Sequence, residues 1–172
     1  MEKAGILRRV TPEGGGGWIW HGPAGERFAL PAPRMRGQVQ YHNAAAAIAA
    51  LRCLGQELPL SREAIRRGLG RAWLPGRFQV IHREVTWILD VAHNKEAAEV
   101  LAENLRSLGC PGRLRAVLAV LGDKDPEVVA GPLVPWVDTW YLSESDDPRA
   151  MPATRLAQRL AGILADAETQ VL

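Results

Sequence analysis

Two short apolar stretches lie near the N-terminus, Trp18 to Trp20 and Phe28 to Leu30, with turn residues His21 to Gly25 between them. Strand-sized apolar runs joined in this way predict a β-hairpin. From Gln40 to Gly55 the character changes. QYHNAAAAIAALRCLG is alanine-rich, uninterrupted and closed by a glycine, the pattern of a helix with a C-terminal stop. Ser61 heads SREAIRRGLG, a second short helix that Gly68 and Gly70 are expected to end. In RAWLPGR, Pro75 and Gly76 break any helix and mark a domain boundary. The expected division is 1–72 and 73–172.

Beyond that boundary strands and helices alternate. QVIHREVTWILD reads as two strands around Arg83, and KEAAEVLAENLRSLG as an amphipathic helix over Lys95–Leu108. Gly109 and Pro111–Gly112 turn the chain into strand LRAVLAVLG. A helix from Pro126 to about Leu133 follows, with proline in its first turn. Strand VDTWYLS, polar loop ESDDPRAMP and helix ATRLAQRLAGIL come next, and TQVL reads as the start of a further strand. Such alternation predicts an α/β fold, a Rossmann-like, mostly parallel sheet with helices on both faces, preceded by a small unit of hairpin and two helices. The sheet is expected to be incomplete within this chain.

In an open parallel sheet, ligands gather at the carboxyl ends of the strands. Three such ends carry unusual polar residues. Asp90, His93 and Asn94 follow WIL; Asp123, Lys124 and Asp125 lie in LGDKD; Ser143, Glu144, Asp146, Asp147 and Arg149 follow the third strand. Each corner also has a purely structural reading. Asn94 is a natural helix N-cap, Asp90 a turn former, His93 a turn or core histidine, DKD a solvated turn and ESDDPR an exposed loop. A shared cleft explains all of them together.

Composition narrows the classes. The apolar share of 47% suits a globular protein with a sizeable core, and the net charge of +2 argues for no nucleic acid. Arginine dominates the 21 basic residues, with lysine only at Lys3, Lys95 and Lys124. Arginine is favoured where a planar fork grips carboxylate or phosphate. Cys53 and Cys110 show no metal-type spacing, which suggests a reducing, cytoplasmic setting. The longest apolar run, Ala44 to Leu51, is far too short to span a membrane, and MEKAGILRRV lacks the apolar centre of a signal peptide. Gly14 to Gly17 read as a flexible turn, because a phosphate-cradling loop needs a following helix and a Lys-Ser/Thr pair.

LPGRFQVI followed by ILDVAHNKEAAEVLAENL resembles the segment joining the central and C-terminal domains of folylpolyglutamate synthases and the bifunctional dihydrofolate synthases, within the Mur ligase superfamily. GQVQYHNAAAAIAAL resembles the segment closing that family's central ATPase domain, and LGDKD and PRA resemble two further family loops. The likeness covers roughly residues 18 to 165. It implies that residues 1–72 are a remnant of the ATPase domain and 73–172 the glutamate-ligase domain, in the C-terminal portion of a larger ligase.

The implied reaction uses ATP and Mg²⁺ to turn a folate or pteroate carboxylate into an acyl phosphate, which the amino group of L-glutamate attacks. By motif position, Asn43 corresponds to an adenine contact, Arg77 to an arginine at the nucleotide phosphates, and Asp90 to an acceptor for the ribose hydroxyls. His93 corresponds to a histidine near the reacting phosphate and incoming amine. Lys124, Arg149 and Ser143 lie in loops that hold the amino-acid carboxylates. The sequence departs from the family at the first corner, where Val91 and Lys95 replace glycine and proline, and at Val39, which replaces a histidine. No Gly-x-x-x-x-Gly-Lys-Ser/Thr loop occurs, nor a set of Mg²⁺-holding acids. Phosphoryl transfer depends on those groups, so this chain alone is expected not to turn over. The remainder of the ligase is the expected partner, and the complete enzyme is expected to be a monomer. DDPR keeps open a ligase of the peptidoglycan branch, and the missing phosphate loop a non-catalytic nucleotide- or partner-binding module.

Overall fold

The computed structural model describes residues 17–22, 25–55, 57 and 59–172. Residues 14–16 of the glycine run, and 23 and 24 of the hairpin turn, lie outside the described residues. The chain divides into two compact units, Met1–Leu89 and Asp90–Leu172.

In the first unit, β1 (Trp18–His21) and β2 (Arg27–Leu30) form an antiparallel hairpin with Trp18 opposite Leu30 and Trp20 opposite Phe28. Those four side chains are buried while their neighbours are not, the two-residue period of a half-buried ribbon. They pack on α1 (Val39–Cys53) and α2 (Arg62–Arg71) through Ala44, Ala45, Ile48, Ile65 and Leu69. Alanines at the contact let α1 approach the indoles closely. Trp20 stacks on Phe28 with ring centroids 5.3 Å apart and donates from Nε1 to the Ala45 carbonyl at 3.2 Å. Ser61 caps α2, its Oγ accepting from the Ala64 N–H at 3.1 Å. The helix runs on past Gly68 and Gly70, contrary to the expected stop. Gly68 offers its carbonyl to the Ala72 N–H at 2.8 Å, and only at Ala72 does the backbone leave helical geometry. Glycine permits a helix end; it does not impose one. A second ribbon, β3 (Gln79–His82) with β4 (Thr86–Leu89), turns at Arg83 as the sequence suggests.

In the second unit, β5 (Arg115–Leu118), β6 (Thr139–Leu142) and β7 (Glu168–Val171) form a parallel sheet in that order, flanked by helices. TQVL thus falls in the third strand of the sheet. One sheet face carries Ala116, Leu118, Trp140 and Leu142 into a core with Ala102, Ala130, Leu133, Met151, Leu156 and Leu160. Leu142, Leu156 and Leu160 are fully buried, each worth about 1.5–3 kcal/mol of transfer free energy. Helix α3 (Lys95–Leu108) presents Ala98, Leu101, Ala102 and Leu105 on one stripe, the 3.6-residue period read from its sequence. Helix α4 (Pro126–Ala130) continues into a 3-10 helix, Gly131–Trp136, and α5 (Ala153–Leu160) leads to β7. No helix among the described residues is long and apolar enough to cross a membrane.

Candidate functional site

Parallel pairing of β5 with β6 sends the two strands' carboxyl ends in the same direction, so the loops after them emerge side by side. Backbone contacts then lock the loops together. Ser143 donates its N–H to the Leu118 carbonyl at 2.9 Å, and Met151 donates to Val120 at 2.9 Å. Leu121 forms an antiparallel bridge with Ala150. Gly122 donates to the Arg149 carbonyl at 2.7 Å, and a Cβ at Gly122 would lie 3.3 Å from that oxygen. Only a residue without a side chain makes so close an approach without displacing its neighbour.

The side chains of these two corners are charged and paired. Lys124 Nζ lies 2.9 Å from Asp123 Oδ2. Arg149 donates from Nε to Asp147 Oδ1 at 3.2 Å and from Nη2 to Oδ2 at 3.1 Å, a two-pronged contact. Hydrogen bonding from the Lys124 ammonium, with a weaker attraction from Arg149, holds the Asp123 carboxyl below the usual aspartate range. The Arg149 side chain and backbone N–H do the same to Asp147, and Asp147 in turn raises the guanidinium. Asp125 caps α4 through the Glu127 N–H at 3.1 Å. Arg159 of α5 clamps that helix end from Asp125 Oδ1 and Glu127 Oε1, each at 3.1 Å. Glu144 accepts from the Ala153 N–H at 3.0 Å, at the start of α5. Ser143 donates weakly to the Glu144 carbonyl at 3.5 Å.

The first corner is built by local turn chemistry. Asp90 Oδ1 accepts from the Ala92 N–H at 2.8 Å, an Asx turn. His93 is exposed, and its Nδ1 lies 2.9 Å from the Val91 carbonyl. Asn94 is the N-cap of α3, accepting from the Ala97 N–H at 2.9 Å. The strand before this corner pairs with β3 and is not part of the three-stranded sheet. Strand pairing therefore unites the second and third corners but not the first.

Two sequence-predicted residues lie in the first unit. Asn43 is exposed on α1, its Nδ2 donating to Gln40 Oε1 at 3.3 Å. Arg77 is exposed in a turn between Gly76, at φ +68°, and Phe78, at φ +44°. A buried phenylalanine with positive φ is uncommon and costs about 1–3 kcal/mol. Gln79 Oε1 braces the turn by accepting from the Gly76 N–H at 3.1 Å. Among the described residues, no group of three or more His, Cys, Asp or Glu side chains could hold a metal ion.

Residues 76–171, over half of the chain, match the family described as Mur ligase, glutamate ligase domain. The chain belongs to that family. It is 41% identical over 147 residues to the dihydrofolate synthase/folylpolyglutamate synthase of Escherichia coli strain K12, covering 83% of this chain and 32% of that protein. The Mycobacterium tuberculosis folylpolyglutamate synthase complexed with ADP and AMPPCP matches with a TM-score of 0.81 and 29% identity, over 97% of this chain and 37% of that one. A bifunctional folylpolyglutamate synthase/dihydrofolate synthase with Mn, AMPPNP and L-glutamate bound matches with a TM-score of 0.74 and 35% identity, over 98% and 37%. The chain spans about a third of the length of the curated relatives it matches.

In this Mur ligase domain, Lys124, Ser143 and Arg149 lie on the two corners joined by β5–β6 pairing. Asp90 and His93 lie on the remaining corner of the same unit, and Asn43 and Arg77 in the other unit. Sequence reasoning named Asp123 and Asp147 among the polar corner residues but did not pair them with the two cations. The Asp-Lys adjacency and the Asp-x-Arg spacing were the available signals, since Asp147 accepts from the Arg149 backbone N–H at 2.8 Å in an Asx turn. It also missed Arg159, whose role exists only because α5 packs beside α4.

Proposed function

We propose that this chain is the glutamate-holding part of an ATP-dependent amide ligase that adds L-glutamate to a folate or pteroate through an acyl phosphate, in the cytoplasm. One observation carries the reading: two cationic side chains, Lys124 and Arg149, stand on loops that neighbouring parallel strands bring to one edge and that backbone bonds lock together. A dicarboxylate needs cationic or donor partners when it leaves water, and an arginine fork suits a carboxylate. The L-glutamate named in one similar solved structure supports this substrate. Ser143, beside them, supplies a hydroxyl.

Within the same proposal, Asn43 faces the adenine, Arg77 the nucleotide phosphates and Asp90 the ribose hydroxyls, while His93 stands by the phosphate and amine that react. The nucleotides named in similar structures support ATP as co-substrate. The strained Gly76–Phe78 turn supports a fixed direction for Arg77. ATP supplies the phosphoryl group that activates the folate or pteroate carboxylate, leaving as ADP; this chain's residues orient the nucleotide and the incoming amine. Among the described residues, no cluster of His, Cys, Asp or Glu side chains fits a Mg²⁺ ion. The phosphate loop and metal ligands are assigned to the rest of the ligase; within this chain the central-domain remnant, 1–72, gives way to the glutamate-ligase domain, 73–172, in keeping with a family match that begins at residue 76.

Initial rates of ADP release by the complete ligase test the reading. Lys124→Ala is expected to raise the glutamate KM about tenfold or more, the effect of losing a charge-assisted hydrogen bond of about 1.5–3 kcal/mol. Unchanged glutamate kinetics sink the assignment. Activity with a muramyl-peptide and none with dihydropteroate or tetrahydrofolate would move the chain to the peptidoglycan branch.

A further inference from the structure

Lys124 and Arg149 are not waiting as bare cations. Each is matched by an acid from its own loop, Lys124 by Asp123 at 2.9 Å and Arg149 by both oxygens of Asp147 at 3.2 and 3.1 Å. Gly122 and Leu121 tie the loops to Arg149 and Ala150, so the two pairs adjoin. Asp123 also feels a weaker attraction from Arg149, beyond its own partner Lys124. Two positive and two negative groups stand where a dicarboxylate must bind.

We propose that Asp123 and Asp147 are resident counter-ions that the two carboxylates of the amino acid displace, so that these acids lower the affinity for glutamate. This rests on the glutamate-site reading above. The exchange is charge-conserving: two carboxylates leave the cations as two arrive. The displaced acids can turn to water at little cost, since Asp123 and Asp147 side chains are 65% and 36% exposed. An amino acid with one carboxylate can replace only one counter-ion, and the other cation stays closed. The competition weighs on glutamate, which displaces both acids, more than on glutamine, which displaces one, so the preference for glutamate comes from the two cations.

Each acid is held below the usual aspartate range chiefly by its own cation, Asp123 by Lys124 and Asp147 by Arg149. They stay ionised throughout the pH range in which glutamate is a dicarboxylate, so the competition never lapses there. Because the pairs are exposed, the competition is modest. Exposed ion pairs are worth little, which corresponds to about a twofold to fivefold change in glutamate affinity for each acid. Salt screens such pairs, so the change shrinks as ionic strength rises.

The test uses the complete ligase carrying Asp123→Asn, Asp147→Asn or both, with glutamate and glutamine as competing acceptors in the ADP-release assay. At position 147 asparagine keeps the side-chain oxygen that accepts the Arg149 backbone N–H, so the loop turn is retained, while the charge and the second acceptor facing the guanidinium are lost. Each single variant is expected to lower the glutamate KM about twofold to fivefold and to keep or widen the preference for glutamate over glutamine. A raised or unchanged glutamate KM overturns the inference; a rise would mean that the acids hold the cations in place or receive the amino acid's ammonium group. Lys124→Ala and Arg149→Ala in the same series separate the two readings. If they raise the glutamate KM while the asparagine variants fail to lower it, only the counter-ion inference falls. If they too leave it unchanged, the glutamate site itself falls.

Discussion

Gly22 lies at the end of β1, where the sequence offers only a turn residue, yet its environment makes it the most demanding small residue in the first unit. A Cβ there would overlap Cη2 and Cζ3 of the Trp20 ring and approach Glu26 Oε2 at 2.9 Å. Its φ lies outside the left-handed region, so the backbone itself accepts alanine and the cost is collision alone. Trp20 is 1% exposed, stacked on Phe28 and bonded to the Ala45 carbonyl, so the ring has no free direction in which to retreat. Overpacking of this kind costs about 1–3 kcal/mol. Loss of the indole hydrogen bond adds about 0.5–1.5 kcal/mol, and loss of the aromatic pair a similar amount. Gly22→Ala is therefore expected to cost about 2–6 kcal/mol, which lowers the Tm of a unit this size by upwards of about 8 °C. Thermal melting followed in the near-ultraviolet circular dichroism of the tryptophans measures it. The discriminating step is a double-mutant cycle with Trp20→Phe, whose smaller ring ends short of the colliding atoms. In that background Gly22→Ala should cost less than about 1 kcal/mol. An equal cost in both backgrounds refutes the collision and leaves only the turn.

Two further outcomes follow from the second unit. Asn94→Ala removes the N-cap of α3 and is expected to cost about 1 kcal/mol in urea denaturation; Asn94→Ser should recover most of it, and recovery by serine marks capping as the residue's main contribution. Glu103, Asp123 and Asp147 have folded-state pKa values lowered by Arg106, Lys124 and Arg149, respectively. Their stabilisation is present above the unfolded carboxylate values and is lost as pH falls through the lower folded ones. Denaturation midpoints of the parent and of the Glu103→Gln, Asp123→Asn, Asp147→Asn triple variant should differ by a constant amount above about pH 5 and converge in acid; a difference that changes between pH 6 and 8 would contradict the assignment.

The amino-acid sequence alone determined the elements whose formation is local. Lys95–Leu108 is a helix because its apolar stripe, N-cap and terminal glycine all agree over one continuous segment, and the structure has it at the bounds read from the sequence. The β1–β2 hairpin and the strands around Arg83 were legible for the same reason, as were the polar corners and the alternation that makes the sheet parallel.

Tertiary structure decided what depends on packing between distant segments. Gly68 and Gly70 stay inside α2 because helix ends are settled by the backbone bonds still available, not by composition. WIL pairs with β3 instead of joining β5, since hydropathy marks a strand as buried without naming its neighbour. Phe78 takes a positive φ that no propensity predicts, and Arg159 reaches Asp125 and Glu127 across more than thirty residues of chain. Asp123 and Asp147 pair with their cations locally, but the two pairs come together through loop geometry fixed by neighbouring strands. Sequence supplied the charges, and the sheet brought them to one edge.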